Sequence, residues 1–135
     1  MTQKSATSTD SSQKPNGTGI SRIIKATKCS WLGFKAAYKH EAAFRQELWL
    51  FILLTPFAWF ITESMSDFLI LIAVSIFVLL VEIINSAIEA VVDRVSLERH
   101  ELSGRAKDFG SAAVTLALII SAITWLIFIF KFFSI

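Results

Sequence analysis

Fourteen almost wholly apolar residues, Phe68 to Val81, run directly into Glu82-Ile83-Ile84-Asn85-Ser86-Ala87-Ile88-Glu89-Ala90-Val91-Val92-Asp93. At ~100° per residue, a helix through this stretch brings Glu82, Glu89 and Asp93 within about 40° of one another, with Asn85 and Ser86 at their flanks. Few folds tolerate that combination. A membrane helix pays roughly 2.5–3.5 kcal/mol for each carboxylate it carries inward, so such groups have a partner or a task. This polar face is the candidate active site.

Composition agrees with a membrane protein. The 135 residues are 54% hydrophobic and 18% charged, and the charges keep to particular stretches. A length of this order suggests one domain. Residues 1–19 are rich in Ser and Thr and lack the apolar core and cleavage site of a secretory signal, so they read as a disordered polar tail. The single Cys29 excludes an internal disulfide. His40 and His100 stand 60 residues apart, which gives no His-based or Cys/His metal motif.

From Ile20 to His40, Ile23, Ile24, Thr27, Trp31, Phe34 and Tyr38 recur at helical spacing between basic residues. An amphipathic basic helix with Trp and Phe commonly lies in the headgroup plane; packing on another protein is the plainer alternative. The expected architecture is all-α. A surface helix at about 20–40 precedes membrane spans at about 43–62, 68–92 and 111–133. A polar loop at about 94–110 is made turn-prone by Gly104 and Gly110. Eight Lys/Arg precede the apolar run of the first span, which begins at Leu48, and four lie in the 94–110 loop, whereas the 62–67 link has none. By the positive-inside rule the N-terminus and long loop face the cytoplasm. Trp59 and Trp125 would suit the opposite interface.

Depth separates the carboxylates. If the second span enters hydrocarbon at Phe68, a ~1.5 Å rise puts Glu82 ~21 Å in, ~9 Å short of the far boundary of a ~30 Å core. Glu89 then sits at about that boundary. The two lie roughly 10.5 Å apart along the axis, too far to share one metal ion. The drier Glu82 suits a general base. Glu89 suits a hard cation, with Glu41 at the start of the first span as the second carboxylate. Magnesium held by one or two carboxylates usually completes its shell with substrate phosphates, and Arg22, Arg99, His100, Arg105 and Lys107 supply phosphate partners. No P-loop or protein-kinase signature is present. Residue chemistry thus leads to a membrane enzyme with a carboxylate–magnesium site at the cytoplasmic interface.

Four segments carry a resemblance: Arg22-Ile-Ile-Lys-Ala26, Glu41-Ala-Ala-Phe-Arg-Gln-Glu47, Val81 to Asp93, and His100-Glu-Leu-Ser-Gly-Arg-Ala-Lys-Asp-Phe-Gly-Ser-Ala-Ala-Val114. From about Arg22 to Trp125 the chain resembles the bacterial integral-membrane diacylglycerol kinases, a family that also includes undecaprenol kinases. Thr27, Cys29, Lys39-His40 and Pro56 depart from the pattern. The resemblance implies a homotrimer in the bacterial inner membrane with sites between subunits. It also implies direct transfer of the ATP γ-phosphoryl group to diacylglycerol, giving phosphatidic acid, with no nucleic-acid partner. By position, Glu82 resembles the general base, and Glu41 and Glu89 the carboxylates that hold Mg-ATP. Arg22, Cys29, Glu98, Arg99, His100, Lys107 and Asp108 complete the nucleotide set. Arg22, Ser30, Trp31, Glu47, Asn85, Ser111 and Trp125 would face the lipid.

Undecaprenol is the alternative substrate, although the Glu41–Glu47 motif looks more like the diacylglycerol branch. A proton-coupled transporter would explain Glu82 but not the Glu89–Asn85 spacing. A structural subunit would leave three inward carboxylates unexplained. Three spans are too few to enclose lipid, ATP and metal, so oligomerisation is expected, with Gly110, Ser111, Ala112 and Ala113 suited to close helix contact.

Overall fold

The computed structural model describes residues 19–95 and 100–134. They form four helices: α1 (Ile20–His40), α2 (Ala42–Ile61), α3 (Met65–Val95) and α4 (Glu101–Phe133). The chain divides after Gly33 into two units, with α1 crossing the division. In the first unit the side chains are exposed, and the Thr27 and Ser30 hydroxyls donate back to the Ile23 and Ala26 carbonyls at 3.0 and 3.1 Å. Gly19, at φ 60°, begins α1 in a conformation that L side chains rarely adopt.

In the second unit, α2, α3 and α4 are each long and apolar enough to cross a membrane. At ~1.5 Å per residue α3 and α4 reach about 46 and 50 Å, well beyond a ~30 Å hydrocarbon core. Part of each therefore stands outside hydrocarbon, and the charges from Glu89 to Arg94 and from Glu101 to Asp108 mark that part. The helix ends follow from local chemistry. Thr62 closes α2 by donating from its hydroxyl to the Ala58 carbonyl at 2.8 Å. Ser64 then caps α3, its Oγ accepting from the Asp67 N–H at 3.1 Å. His100 caps α4, with Nδ1 accepting from the Leu102 N–H at 3.2 Å. Pro56 lies within α2 without ending it, as neighbouring helices allow in membrane proteins.

One expectation is corrected. Residues 101–110 are helical, not part of a loop, and α4 runs without a break through Gly104 and Gly110. A helical glycine costs only about 1 kcal/mol relative to alanine, and at Gly110 the missing side chain is required for packing, as described below.

α3 packs mainly on α4 and less extensively on α2. The core is small: Ala58, Ile61, Leu71 and Trp125, ringed by Leu54, Phe68, Val74, Phe128 and Ile129. Phe57 stacks on Trp125 at 6.3 Å. Many large apolar side chains, Leu53 and Ile127 among them, remain exposed. That is unremarkable in a bilayer, where lipid tails are as apolar as leucine. Polar bonds fix the register instead. The Trp125 indole N–H donates to Ser75 Oγ at 3.2 Å, and that hydroxyl donates to the Leu71 carbonyl at 2.8 Å. At the same end, Lys131 reaches Asp67 at 3.2 Å and Glu63 at 3.7 Å, tying the last turn of α4 to the start of α3. Ser75→Ala should leave the buried indole donor unmet and lower stability by about 1 kcal/mol, read from unfolding in detergent. No change would show that the bond does not contribute.

Candidate active site

α3 presents a polar face because Glu82, Asn85 and Glu89 recur at three- and four-residue spacing on one helix. Glu82 and Asn85 are 5% and 9% exposed, as buried as the core, while Glu89 is half-buried. The Asn85 amide donates from Nδ2 to Glu89 Oε1 at 3.1 Å. This bond orients the Glu89 carboxylate and engages only one of its oxygens. The other face of the amide meets α4. Asn85 Oδ1 is buried without a hydrogen-bond partner among the described residues, and it lies against Gly110, where an added Cβ would collide with it. Gly110, expected at a contact between copies, makes this close approach within the chain.

α2 brings up two further carboxylates. Glu41 sits half-buried at the junction of α1 and α2, with φ −101° and ψ 116°, and its side chain does not cap α2. Glu47, on the second turn of α2, is half-buried with Oε2 enclosed and unpartnered among the described residues. Glu41, Glu47 and Glu89 all lie near enough for their charges to act on Glu82. Carboxylates so gathered repel one another until a proton or a cation joins them. Below Glu47 a groove opens between the three helices, lined by Leu50, Phe51, Leu54, Ser75, Val78, Leu118 and Ser121. It is apolar with a carboxylate at one end, the shape of a bed for an amphiphile.

On the outer turns, Lys107 of α4 pairs with Asp93 of α3 at 2.6 Å, and Arg105 stands 4.0 Å from Glu101. Asp108 and Ser111 are exposed on α4, as is His100 at its cap.

The structure thus gathers Glu41, Glu47, Glu82, Asn85 and Glu89 in one region, and Lys107 is tied to the outer end of the same α3. Trp125 is not part of this group; it is buried in the core, where its indole N–H donates to Ser75. Arg22, Cys29, Ser30 and Trp31 belong to the first unit and are exposed there. Glu98 and Arg99 lie outside the described residues.

Two residues of this region escaped sequence reasoning. Asp93 reads from the sequence only as part of the polar face, yet it holds Lys107. Arg45 donates from Nη1 to the Tyr38 and Lys39 carbonyls at 3.0 and 3.2 Å. The signal for Arg45 was its position four residues past a helix break, which needs a cation near orphaned carbonyls.

Comparison with known proteins gives this arrangement a context. Residues 28–129 match the family model for prokaryotic diacylglycerol kinase. The diacylglycerol kinase of Escherichia coli (strain K12) is 51% identical over 119 residues, covering 88% of this chain and 98% of that protein. The diacylglycerol kinase of Pseudomonas aeruginosa is 52% identical over 108 residues, covering 80% and 88%. That of Helicobacter pylori (strain J99) is 35% identical over 111 residues, covering 82% and 87%.

Proposed function

The chain belongs to the prokaryotic diacylglycerol kinase family, and we propose that it moves the γ-phosphoryl group of ATP to the free hydroxyl of diacylglycerol, giving phosphatidic acid. The observation that carries the mechanism is the buried Glu82–Asn85–Glu89 face of α3. Glu82 removes the proton of the lipid hydroxyl as its oxygen attacks the γ-phosphorus. The bond to the β–γ bridging oxygen breaks, ADP departs, and the proton remains on the Glu82 carboxyl. Such transfers depend on position and charge neutralisation more than on covalent help. A carboxylate buried on an apolar membrane helix is suited to a nucleophile that arrives in lipid.

The donor set fits magnesium. Glu89 keeps one oxygen unengaged by Asn85, and Glu41 spends no side-chain bond on capping. Among the described residues no group of three or more Asp, Glu, His or Cys could hold a metal. Two hard carboxylates completed by substrate phosphates is the usual magnesium arrangement. When bound, the ion supplies neutralisation of the charge developing on the phosphates. The chain's own part is to orient it. Asn85 fixes Glu89, and Lys107, His100 and Asp108 serve the nucleotide; Arg22, Cys29, Glu98 and Arg99 are assigned to it by the family resemblance alone.

The diacylglycerol lies along the groove under Glu47 in the second unit, and Ser111 serves the same lipid; Ser30 and Trp31 are assigned to it by the family resemblance alone. Trp125 backs this groove through Ser75 and is not itself a lining residue. The kinase domain is 20–135, with the 1–19 tail outside it. α1 lies on the membrane as an amphipathic helix, three copies assemble, and the N-terminus and the polar segment at about 94–110 face the cytoplasm of the inner membrane.

Gly110→Ala should push the Asn85 side chain aside, release Glu89, and cost about 1–3 kcal/mol of stability. Turnover should fall further than stability does; unimpaired turnover would remove Asn85 from the mechanism. The function itself is tested with purified protein in mixed micelles, offering ATP with diacylglycerol or undecaprenol, with magnesium or a chelator. Magnesium-dependent phosphatidic acid is expected. Product from undecaprenol alone would move the chain to the sister activity.

A further inference from the structure

Arg45 is the element of the junction that the proposed reaction has not yet used. Glu41 ends one helix and begins the next. Its N–H still donates to the Ala37 carbonyl at 2.9 Å, while its own carbonyl accepts from the Arg45 N–H at 3.4 Å. Between these bonds the residue is extended, at φ −101° and ψ 116°, so the helical path breaks at Glu41 although each of its backbone groups is bonded to one of the two helices. A side-chain cap, which the shorter Ser, Thr, Asp and Asn provide most readily, would turn the Glu41 carboxylate toward the first turn of α2. That capping bond is absent. The junction is closed from the other side. Arg45, in the first turn of α2, reaches back across the break, and its Nη1 donates to the carbonyls of Tyr38 and Lys39. These are among the last carbonyls of α1, which lack partners within the helix and carry its negative end. A planar guanidinium can serve two of them at once, which a lysine ammonium on a flexible stem does less well.

We propose that Arg45 is a positioning residue for Glu41: by clamping the end of α1 to the start of α2 it sets the backbone of Glu41 and frees that carboxylate to face the nucleotide-bound cation. This rests on the reading of Glu41 as one of the two carboxylates for Mg-ATP.

The test uses full-length protein in detergent, with equilibrium Mg-ATP binding by calorimetry beside steady-state kinetics. Arg45→Gln should weaken Mg-ATP binding roughly tenfold. The KM for diacylglycerol and kcat at saturating nucleotide should stay within about twofold. Arg45→Lys should fall between, at about threefold, and it carries the test if Arg45→Gln does not fold. In a Glu41→Gln background, Arg45→Gln should add less than about twofold, because the two act through one carboxylate. Unchanged Mg-ATP affinity in Arg45→Gln, or full additivity of the two substitutions, would overturn the proposal. Unchanged affinity in Glu41→Gln would instead overturn the assignment of Glu41, and the role of Arg45 with it.

Discussion

Glu82→Gln abolishes measurable turnover and leaves Mg-ATP binding nearly intact: that is the largest effect the mechanism predicts. Glutamine keeps the volume and the apolar packing of a residue that is only 5% exposed, but it cannot accept the proton of the lipid hydroxyl. A positioned general base contributes about 10²–10⁴ in rate, so kcat should drop by that order. The nucleotide is assigned to Glu41, Glu89 and Lys107, so its affinity should change by no more than about twofold. Losing one of several neighbouring negative charges weakens the pull on a cation but eases the approach of the anionic nucleotide, so the two effects on Mg-ATP oppose each other. The check is initial rates of phosphatidic acid formation across diacylglycerol and ATP concentrations. Retention of more than a tenth of wild-type kcat would exclude Glu82 as the base.

Glu89→Gln gives the second large effect, and it differs in kind. The Gln carbonyl oxygen can still accept from Asn85 Nδ2, which now bonds Glu89 Oε1 at 3.1 Å, so local geometry survives while the charge is lost. What disappears is one of two hard anionic ligands. Changes to the mere support of a metal ligand cost about 10–100-fold in affinity, and loss of the ligand charge should do at least as much. The magnesium concentration for half-maximal activity should rise by more than about tenfold, and turnover should fall with it. A magnesium titration at fixed ATP reads this directly. An unshifted midpoint would take Glu89 out of the metal site.

Much of this architecture could be read from the residues alone, because apolar runs and helical spacing are local signals. The membrane helices were expected near 43–62, 68–92 and 111–133, and α2, α3 and α4 cover those stretches. The shared face of Glu82, Asn85 and Glu89 follows from spacing on one helix and needs no tertiary information. What stayed hidden required knowledge of two helices at once. Gly104 and Gly110 read as turn signals, yet both are helical, and position 110 needs a glycine because Asn85 of α3 occupies the space a side chain would take. Trp125 reads as an interfacial aromatic, yet it is buried, because Ser75 supplies an acceptor at its level on α3. Ser75 was the one polar interruption in the run from Phe68 to Val81, and that was the available hint. The pairing of Asp93 with Lys107 and the reach of Arg45 across the α1–α2 break likewise depend on register between elements.

The central claim is that the carboxylates divide the work, Glu82 serving the lipid hydroxyl and Glu89 the nucleotide. Equilibrium binding of Mg-ATP to the wild-type, Glu82→Gln and Glu89→Gln proteins, measured beside the turnover of each, tests it most directly. The division predicts that both variants lose turnover and that only Glu89→Gln loses nucleotide affinity. Equal loss of Mg-ATP binding in the two variants would contradict it.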